Sequence, residues 1–343
     1  MLFETSTDEE RRAAWEQQYG IVVGVAAELP PAFKIGYSAN LLEGSGCTVL
    51  LCEEGAVAGV AVLGAAPATR ETDLLRTENT VERINGLVLS GGSAFGLDAA
   101  SGVMRYLAQN NAGITFGVST IPIVVGAALY DLEVSKGKVT PTSMMGYSAA
   151  HSNSRTIEVG NAGVGAGASV GKLLGMEYCM KSGIGAASIT KDDLVITALV
   201  AVNALGCVYD RSIGAYVAGV IDPDTMYMGK RKILDPYRAL EMPVDTAMPT
   251  ESNTTIGCIL TNAVITKAQA NRIALMGHDG YARAIEPVHS SFDGDAVFCM
   301  SECKVDANPD IIGALAALVM ERAVVNAVVD TESAYGFIAA SSL

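Results

Sequence analysis

Short apolar runs separated by turn residues are the feature that most restricts how this chain can fold. Thr48 to Cys52 and Ala56 to Leu63 flank a Glu54-Gly55 turn, and Gly86 to Leu89 is another such run. Apolar runs of this length, bounded by turn residues, predict β-strands. Strand–turn–strand units recur too often for a simple doubly wound sheet, so the pattern favours a layered α/β sandwich.

Three helices are marked by the residues at their starts. Ser6 and Glu9 have the spacing of a capping box. Thr266 is a typical N-cap, and Asn308 precedes a proline at the first helical position. The predicted helices run from Ser6 to about Tyr19, from Thr266 to about Ile285, and from Asn308 to about Val329.

The other predicted strands include one that ends at a polar residue. Val195 to Val202 predicts a strand ending at Asn203, and Cys207 to Ile221 is expected to pair with it. From Asp222 to Pro249 the chain is charged and irregular, which indicates a surface excursion. The remaining strands are a pair within Ile114 to Ala128 broken at Pro122, then Thr254 to Leu260 and Asp295 to Met300.

Charge and cysteine usage exclude some partners. The 343 residues carry a formal net charge of −14 with no basic block, so neither nucleic acid nor an anionic membrane is an expected partner. The sequence MLFETSTDEERRAAW lacks an apolar signal core, and the longest apolar run, Leu194 to Val208, is too short to span a bilayer. Seven cysteines without a CxxC pair indicate reduced core thiols and a cytoplasmic protein. Length alone suggests roughly two domains.

The segment SGGSAFG (90–96) lies between a predicted strand and a predicted helix that extends to about Gln109. A nucleophile elbow needs G-x-S-x-G, but the glycine after Ser93 comes one residue too late. We therefore favour a tight turn whose helix N-terminus packs closely or binds an anion.

A second glycine-rich segment is GNAGVGAGASVGK (160–172). The P-loop pattern fails at both ends, because Ala166 stands where a glycine is needed and Leu173 follows Lys172. The dinucleotide fingerprint is met only in a looser form, and no clear apolar strand precedes it. The glycines predict a backbone that passes close to another part of the molecule, with Lys172 as an unexplained cation beside it.

Two carboxylates stand two residues apart in FDGD. If Asp293 and Asp295 lie on a strand, both side chains fall on one face. Val297 breaks the calcium-loop pattern, and His278 and His289 match no zinc spacing, so we expect no metal. The pair is either a solvated turn or a carboxylate pair that orients or activates a nucleophile.

Polar residues run directly into a predicted strand in PTESNTTIGCIL (249–260). The ordinary interpretation is a turn that leads into the strand. The alternative is that the chain cuts itself between Asn253 and Thr254 and uses the new N-terminal threonine as a nucleophile. Such a threonine carries its own base, because an α-amine has a pKa of about 7.7–8.0.

Taken together and in this order, the segments resemble the DmpA-type L-aminopeptidase/D-esterase family, which includes β-peptidyl aminopeptidases and the nylon-oligomer hydrolase. The resemblance covers nearly the whole chain. It rests on GCTVLLCEEGAVAGVAVLGAAPATRETDLL (46–75), NGLVLSGGSAFGLDAASGVMRYL (85–107), GVGAGASVGK, the Asn-Thr junction and HDGYARAIEPVHSSFDGDAVF (278–298).

The resemblance implies one catalytic α/β domain over residues 1–343, a four-layer αββα sandwich of the type shared with ornithine acetyltransferases. It implies self-cleavage between Asn253 and Thr254 into a 1–253 chain and a 254–343 chain that stay together, with Thr254 as the nucleophile. Asp293 and Asp295 match the positions that hold and polarise the nucleophile and its amine.

Other positions match the family's site with one departure. Asn203 matches the asparagine that stabilises the oxyanion, Tyr130 matches a substrate-site tyrosine, and Lys172 matches a lysine near the nucleophile. Ala128 stands where the aminopeptidase branch has a glutamate that binds the substrate's free amine. Glu133 is close in sequence but not equivalent. The missing amine anchor predicts amide or ester hydrolysis that does not require a free N-terminus.

The sequence therefore predicts a cytoplasmic, self-processing N-terminal-threonine hydrolase of small peptides, amides or esters. We expect an aminopeptidase-like enzyme that works through an acyl-enzyme without a cofactor, as a homo-oligomer (a tetramer of processed units). The alternatives are an acyltransferase of ornithine-acetyltransferase type, an endo-type hydrolase of amide oligomers, and an inert binding protein on the same scaffold. Stable acyl transfer to a supplied amine distinguishes the first, and an uncut chain the last.

Overall fold

The computed structural model describes residues 6–226, 231–241 and 253–343. Much of the predicted surface excursion from Asp222 to Pro249, and the polar residues 249–252, lie outside the described residues. The described helices are α1 (Asp8–Tyr19), α2 (Ala99–Gln109), α3 (Leu132–Ser135), α4 (Ser143–His151), α5 (Pro223–Met226), α6 (Pro236–Glu241), α7 (Lys267–Ala284) and α8 (Pro309–Val329).

In the described ranges of the chain, the strands form one large sheet and three small ones. In chain order they are β1 (Ile21–Val23), β2 (Lys34–Asn40), β3 (Ser45–Val62), β4 (Ala68–Arg70), β5 (Arg83–Ser90), β6 (Ile114–Phe116), β7 (Ser119–Ile121), β8 (Val124–Ala128), β9 (Ser169–Val170), β10 (Met180–Lys181), β11 (Ile184–Lys191), β12 (Leu194–Asn203), β13 (Cys207–Asp210), β14 (Ala215–Ala218), β15 (Thr254–Ala263), β16 (Ile285–Glu286) and β17 (Ala296–Val305).

The longest strand, β3, corrects one expectation from the sequence. The pattern around Glu54-Gly55 predicts two strands and a turn, but the structure has one continuous strand. Gly55 has a φ of +83°, and the register against β5 shifts between Leu51 and Ala56, so the strand bulges instead of reversing. As a result, the first part of β3 pairs with β2 and β5, and its last part pairs with β17.

The ten-stranded sheet folds on itself into two layers because β3 belongs to both. One layer has the order β1-β11-β12-β15-β17, and the other contains β2, β5, β8 and β4. Side chains from the two layers meet in one apolar core that includes Leu50, Leu89, Ile256 and Phe298. Helices α7 and α8 cover the outer face of the first layer, and α2 and α4 cover that of the second. The predicted αββα sandwich is confirmed.

The N-cap patterns place two long helices correctly. Thr266 caps α7 and forms a capping box with Gln269. Asn308 caps α8, and Pro309 occupies its first turn. These two helices cover the layer that contains β15, so they fix the position of this strand, which begins at Thr254.

At α1 the capping box lies one residue later than predicted. Ser6 with Glu9 and Thr7 with Glu10 both fit the S/T-x-x-E pattern. In the structure, Thr7 accepts the Glu10 N–H and donates its own N–H to the Glu10 carboxylate. Two overlapping matches offer equal local hydrogen bonds, so the pattern alone could not choose between them.

The segment from Cys207 to Ile221 does not pair with β12, contrary to the prediction. The edges of β12 are occupied by β11 and β15, so no edge is left for a strand that follows it. Instead, β13 pairs with β14 and β16 in a separate sheet. The apolar stretch broken at Pro122 forms the β6–β7 hairpin and then β8, which joins the main sheet beside β5.

Helix α8 is long and apolar enough, by composition, to cross a membrane. However, 78% of its most apolar window is buried inside the protein, where it packs on α7, β11 and β12. A helix that is apolar on all sides suits such a covered position.

Candidate active site

Thr254, the first residue of β15, lies directly opposite Asn203, the last residue of β12. Opposed residues of an antiparallel pair place their side chains on one face of the sheet, with Cβ atoms about 4.5–5.5 Å apart. Both residues are buried. The strand register therefore brings together two predicted site residues that are distant in sequence.

The carbonyl oxygen of Asn253 is held between two donors. The Thr254 hydroxyl donates to it, and the Gly294 N–H donates to the same oxygen at 2.8 Å. The Asn253 N–H donates to the Phe292 carbonyl at 2.9 Å, so the chain around Gly294 runs alongside the junction. The peptide bond at the predicted cleavage point thus has a hydroxyl and a backbone donor already in place.

Gly294 is a site residue that the sequence reasoning missed. A Cβ atom at this position would lie 2.8 Å from the Thr254 Oγ1 and 2.8 Å from the Ala66 carbonyl oxygen. Any side chain would press on the hydroxyl, so the close approach requires glycine. The signal in the sequence is a glycine between two aspartates.

Asp293 and Asp295 do not lie on a strand, which corrects the prediction; they belong to the turn before β17. Aspartates that accept nearby backbone N–H groups favour turns over strands, and Asp293 Oδ2 accepts the Ser290 N–H at 2.8 Å and the Ser290 hydroxyl. Asp295 Oδ1 accepts the Thr255 N–H at 2.7 Å. Both carboxylates are buried, so the solvated-turn interpretation is wrong.

The surroundings of Asp293 change its protonation. Burial and the neighbouring Asp295 raise the pKa of Asp293 above its usual range, while hydrogen bonds from Ser290 and the charge of Lys172 oppose the rise. A carboxylate with a raised pKa is a better proton acceptor near neutral pH than an ordinary aspartate.

The side-chain amide of Asn203 is bonded at both ends. Its Nδ2 donates to the Tyr130 carbonyl at 2.7 Å, and its Oδ1 accepts from Lys172 Nζ at 2.8 Å and from the Ser169 N–H at 3.1 Å. An ammonium group only donates, so Lys172 fixes which end of the amide is oxygen. The Tyr130 hydroxyl donates to Glu133 at 3.1 Å. Lys172 and Tyr130 therefore lie in the same hydrogen-bonded group as Asn203.

The tight-turn interpretation of SGGSAFG is confirmed, and its anion belongs to the protein itself. The Gly92 N–H donates to Asp131 Oδ1 at 2.6 Å, and a Cβ on Gly91 would lie 2.0 Å from Asp131 Oδ2. Burial raises the pKa of Asp131 to about 6, although the Gly92 N–H opposes the rise. Asp131 was also missed in the sequence, where its only signal is its place beside Tyr130.

The glycine-rich segment 160–172 passes close to other backbone, as predicted. A Cβ on Gly163 would lie 2.3 Å from Thr48 Oγ1, and one on Gly171 would lie 2.0 Å from the Gly219 carbonyl carbon. This close packing carries the chain to Lys172 and so brings that lysine to Asn203.

A narrow cleft adjoins the hydrogen-bonded group around Asn203. Ala128 is buried in β8 opposite Ala68, so it contributes no charge near this cleft. In the described parts of the chain, no group of three or more His, Cys, Asp or Glu residues could hold a metal ion. The cleft is lined by Tyr130, Asp131, Glu133, Val134, Ser169, Lys172 and Met176.

Two solved structures share this fold. A beta-aminopeptidase of Burkholderia sp. superposes with a TM-score of 0.63 at 17% identity and covers 93% of each chain. An L-aminopeptidase D-Ala-esterase/amidase of Ochrobactrum anthropi, described as a variant of the Ntn hydrolase fold, gives a TM-score of 0.65 at 17% identity over 92% of this chain and 90% of that one. The fold is therefore that of the DmpA-type hydrolases.

Sequence comparison gives the family. Residues 31–340 match Peptidase family S58. An uncharacterised aminopeptidase of Mycobacterium bovis is 38% identical over 311 residues, covering 90% of this chain and 87% of that protein. A 6-aminohexanoate-oligomer endohydrolase of Paenarthrobacter ureafaciens is 30% identical over 258 residues, 71% of each chain. The chain belongs to Peptidase family S58 and is a hydrolase of peptide or amide bonds, as the sequence predicts.

Proposed function

We propose that this protein cleaves itself between Asn253 and Thr254, and that the released N-terminal threonine hydrolyses small peptides, amides or esters through an acyl-enzyme. The observation that carries the proposal is the arrangement at the Asn253 carbonyl, where the Thr254 hydroxyl and the Gly294 N–H meet on one oxygen. Membership in a peptidase family supports amide bonds as the substrate class.

In the self-cleavage reaction, Thr254 Oγ1 attacks the carbonyl carbon of Asn253. We propose Asp293 as the base that takes the hydroxyl proton, because its pKa is raised and it lies in the turn beside the junction. The Gly294 N–H, 2.8 Å from the carbonyl oxygen, stabilises the negative charge that develops there. The carbon–nitrogen bond breaks, the Thr254 nitrogen takes up the proton held by Asp293, and an ester links Asn253 to the Thr254 oxygen. Water hydrolyses this ester to give chains 1–253 and 254–343.

The two chains would stay together because the central sheet interleaves them. β15 of the second chain pairs with β12 of the first, and β17 of the second pairs with β3 of the first. Cleavage ahead of β15 breaks none of these ladders. Separation would require the central sheet to unfold.

In turnover, the α-amine of Thr254 is the base that activates its own hydroxyl. The Asn203 Nδ2 and the Gly294 N–H are the donors to the oxyanion of the substrate. Lys172 supports the role of Asn203, because its ammonium group binds Oδ1 at 2.8 Å. This bond keeps the Nδ2 end of the amide pointing away from Lys172. Asp295 holds the strand end through the Thr255 N–H.

A second candidate function is endo-type cleavage of amide oligomers, and Ala128 favours it. This residue is buried and uncharged, so it cannot bind a substrate ammonium group. The relative from Paenarthrobacter ureafaciens is named as an endohydrolase of 6-aminohexanoate oligomers. We propose that a free substrate N-terminus is not required.

The test uses paired small amides that differ only in a free or acetylated N-terminus, with Thr254→Ala as the control enzyme. We expect hydrolysis by the wild type alone, and an acylating inhibitor should add its mass to the 254–343 chain. Hydrolysis by Thr254→Ala would contradict the proposal. Equal rates on both members of a pair support the endo-type function, and cleavage of only the free-amine member supports an aminopeptidase.

A further inference from the structure

Two consecutive residues each hold one of the two site aspartates through a pair of hydrogen bonds. His289 brings its backbone N–H (3.1 Å) and its ring Nδ1 (2.8 Å) to Asp295 Oδ2. Ser290 brings its backbone N–H (2.8 Å) and its hydroxyl to Asp293 Oδ2. In both cases one carboxylate oxygen receives both bonds, so the other oxygen of each aspartate is aimed elsewhere.

The other oxygen of Asp295 also has a hydrogen-bond partner. Oδ1 accepts the N–H of Thr255 at 2.7 Å, and Thr255 directly follows the proposed nucleophile. A carboxylate with both oxygens bound cannot rotate without losing a bond. His289 therefore acts on the strand end at Thr254 through Asp295, without touching the reacting atoms itself.

The tautomer of His289 follows from its partner. An ionised carboxylate only accepts, so Nδ1 carries the proton in this pair. The ring of His278 lies behind it, with ring centroids 4.8 Å apart, and His278 Nε2 donates to the Ala61 carbonyl at 3.0 Å. Burial lowers the pKa of His278 to about 4, so this second ring is neutral at pH 7.

The backbone of His289 has an uncommon conformation that suits this role. Its φ is +58°, in the left-handed region that only a few per cent of non-glycine residues adopt, with asparagine, aspartate and histidine the most frequent among them. In this conformation the backbone N–H and the ring both reach the same oxygen of Asp295.

We propose that His289 is a positioning residue for the nucleophile: it orients Asp295, and Asp295 fixes the strand end that carries Thr254. This inference rests on the proposed function, because it assigns His289 to the threonine that function requires. The sequence showed His289 only as a histidine that fits no zinc pattern.

The test compares His289→Asn with His289→Gly, since both residues tolerate a positive φ. Asparagine can present an N–H near the position of Nδ1, whereas glycine keeps only the backbone N–H. His278→Gln is the matched control, because its amide can still donate to the Ala61 carbonyl. For each variant, the rate of self-cleavage is followed by intact mass under denaturing conditions, and kcat and KM are then measured separately on one amide.

We expect His289→Gly to slow self-cleavage and lower kcat by about 10–100-fold with little change in KM, the size of effect that misplaced reacting groups produce. His289→Asn should recover most of the loss, and His278→Gln should match the wild type. If His289→Gly does not fold, His289→Asp replaces it, since aspartate has the shape of asparagine but offers an acceptor instead of a donor.

The inference is overturned if His289→Gly, or His289→Asp in its place, works at the wild-type rate without a side-chain donor. It is also overturned if His289→Asn gives no recovery, or if His278→Gln shows the same loss. Thr254→Ala is measured alongside to separate this outcome from failure of the proposed function. A Thr254→Ala protein that still cleaves removes the proposed function. An inert Thr254→Ala protein with fully active His289 variants removes only the role of His289.

Discussion

The turn at SGGSAFG and the turn at FDGD both place a buried carboxylate against a backbone N–H. At the first turn, Asp131 accepts from Gly92 at 2.6 Å; at the second, Asp295 accepts from Thr255 at 2.7 Å. Each turn also has a hydroxyl residue next to the N–H donor. A buried carboxylate beside a hydroxyl residue is therefore not enough to define a reactive site in this fold.

The difference between the turns lies in what each hydroxyl faces. Ser93 is half-exposed beside its turn, whereas Thr254 is buried and donates to the carbonyl that precedes it. That carbonyl also receives the Gly294 N–H. The proposed reactive turn therefore differs from the structural one because a hydroxyl and a backbone N–H both donate to one carbonyl oxygen beside it.

The largest effect is expected from the two hydroxyl residues. Thr254→Ala should abolish both self-cleavage and hydrolysis, because it removes the hydroxyl that donates to the Asn253 carbonyl and is the proposed nucleophile. Ser93→Gly should change neither, and glycine suits the φ of +53° at that position. Denaturing mass spectrometry and an amide-hydrolysis assay measure both variants. Loss of cleavage in Ser93→Gly alone would reverse the comparison.

The next largest effect is expected from replacing the buried carboxylate at each turn, Asp295 or Asp131. Asp295→Asn places an amide where three N–H groups from Thr255 and His289 converge, and we expect self-cleavage to slow by about 100-fold or more. Asp131→Asn keeps an oxygen for the Gly92 N–H, so its cleavage rate should stay near that of the wild type. The measurement is the time course of precursor loss; equal rates in the two variants would show that the second turn is not special.

Asn203→Ala should lower kcat more than it lowers the self-cleavage rate. One oxyanion donor is worth roughly 3–4 kcal/mol, or about 10²–10³-fold in kcat. Self-cleavage should continue in part, because the Gly294 N–H already lies on the Asn253 carbonyl. Intact mass under denaturing conditions gives the cut fraction over time, and steady-state kinetics normalised to that fraction gives kcat. Unchanged turnover would remove Asn203 from the site.

The smallest effect concerns stability at the structural turn. Burial raises the pKa of Asp131 from its ordinary 3.8 to about 6. The folded state therefore binds a proton at this carboxylate more tightly than the unfolded chain does. Stability from this group is fully present below pH 4 and is lost as the pH rises through 6, a loss of about 3 kcal/mol. Asp131→Asn should lack this loss. Denaturant unfolding at pH 4 and 7.5, in the uncut Thr254→Ala background, tests it; parallel pH dependence in both proteins would refute it.

Local patterns in the sequence predicted those parts of the fold that local hydrogen bonds decide. Thr266 and Asn308 cap their helices as expected, because a cap depends on only a few neighbouring residues. The strand pattern predicted a layered sandwich, whereas its αββα layering and the roles of the site residues were expected from a resemblance. The continuity of β3 through Gly55 could not be predicted, because the choice between a turn and a bulge depends on β5 and β17 pairing with the two parts of the strand.

The site was only partly visible in the sequence. The order of Asn203, Thr254 and the aspartates was available, but the register that opposes Asn203 to Thr254 depends on the whole β12–β15 ladder. Gly294 and His289 gave no clear signal, since one is a glycine in a turn and the other a histidine without a metal pattern. Their roles follow from distances to the Asn253 carbonyl and to Asp295, which no spacing rule encodes.

The most direct test of self-cleavage is the intact mass of the purified protein under denaturing conditions, with N-terminal sequencing of any smaller chain. We predict two chains, 1–253 and 254–343, the second beginning Thr-Thr-Ile-Gly-Cys. A single uncut chain of 35.5 kDa after long incubation would contradict the account, and would leave the contact between the Thr254 hydroxyl and the Asn253 carbonyl as an ordinary feature of a turn entering a strand.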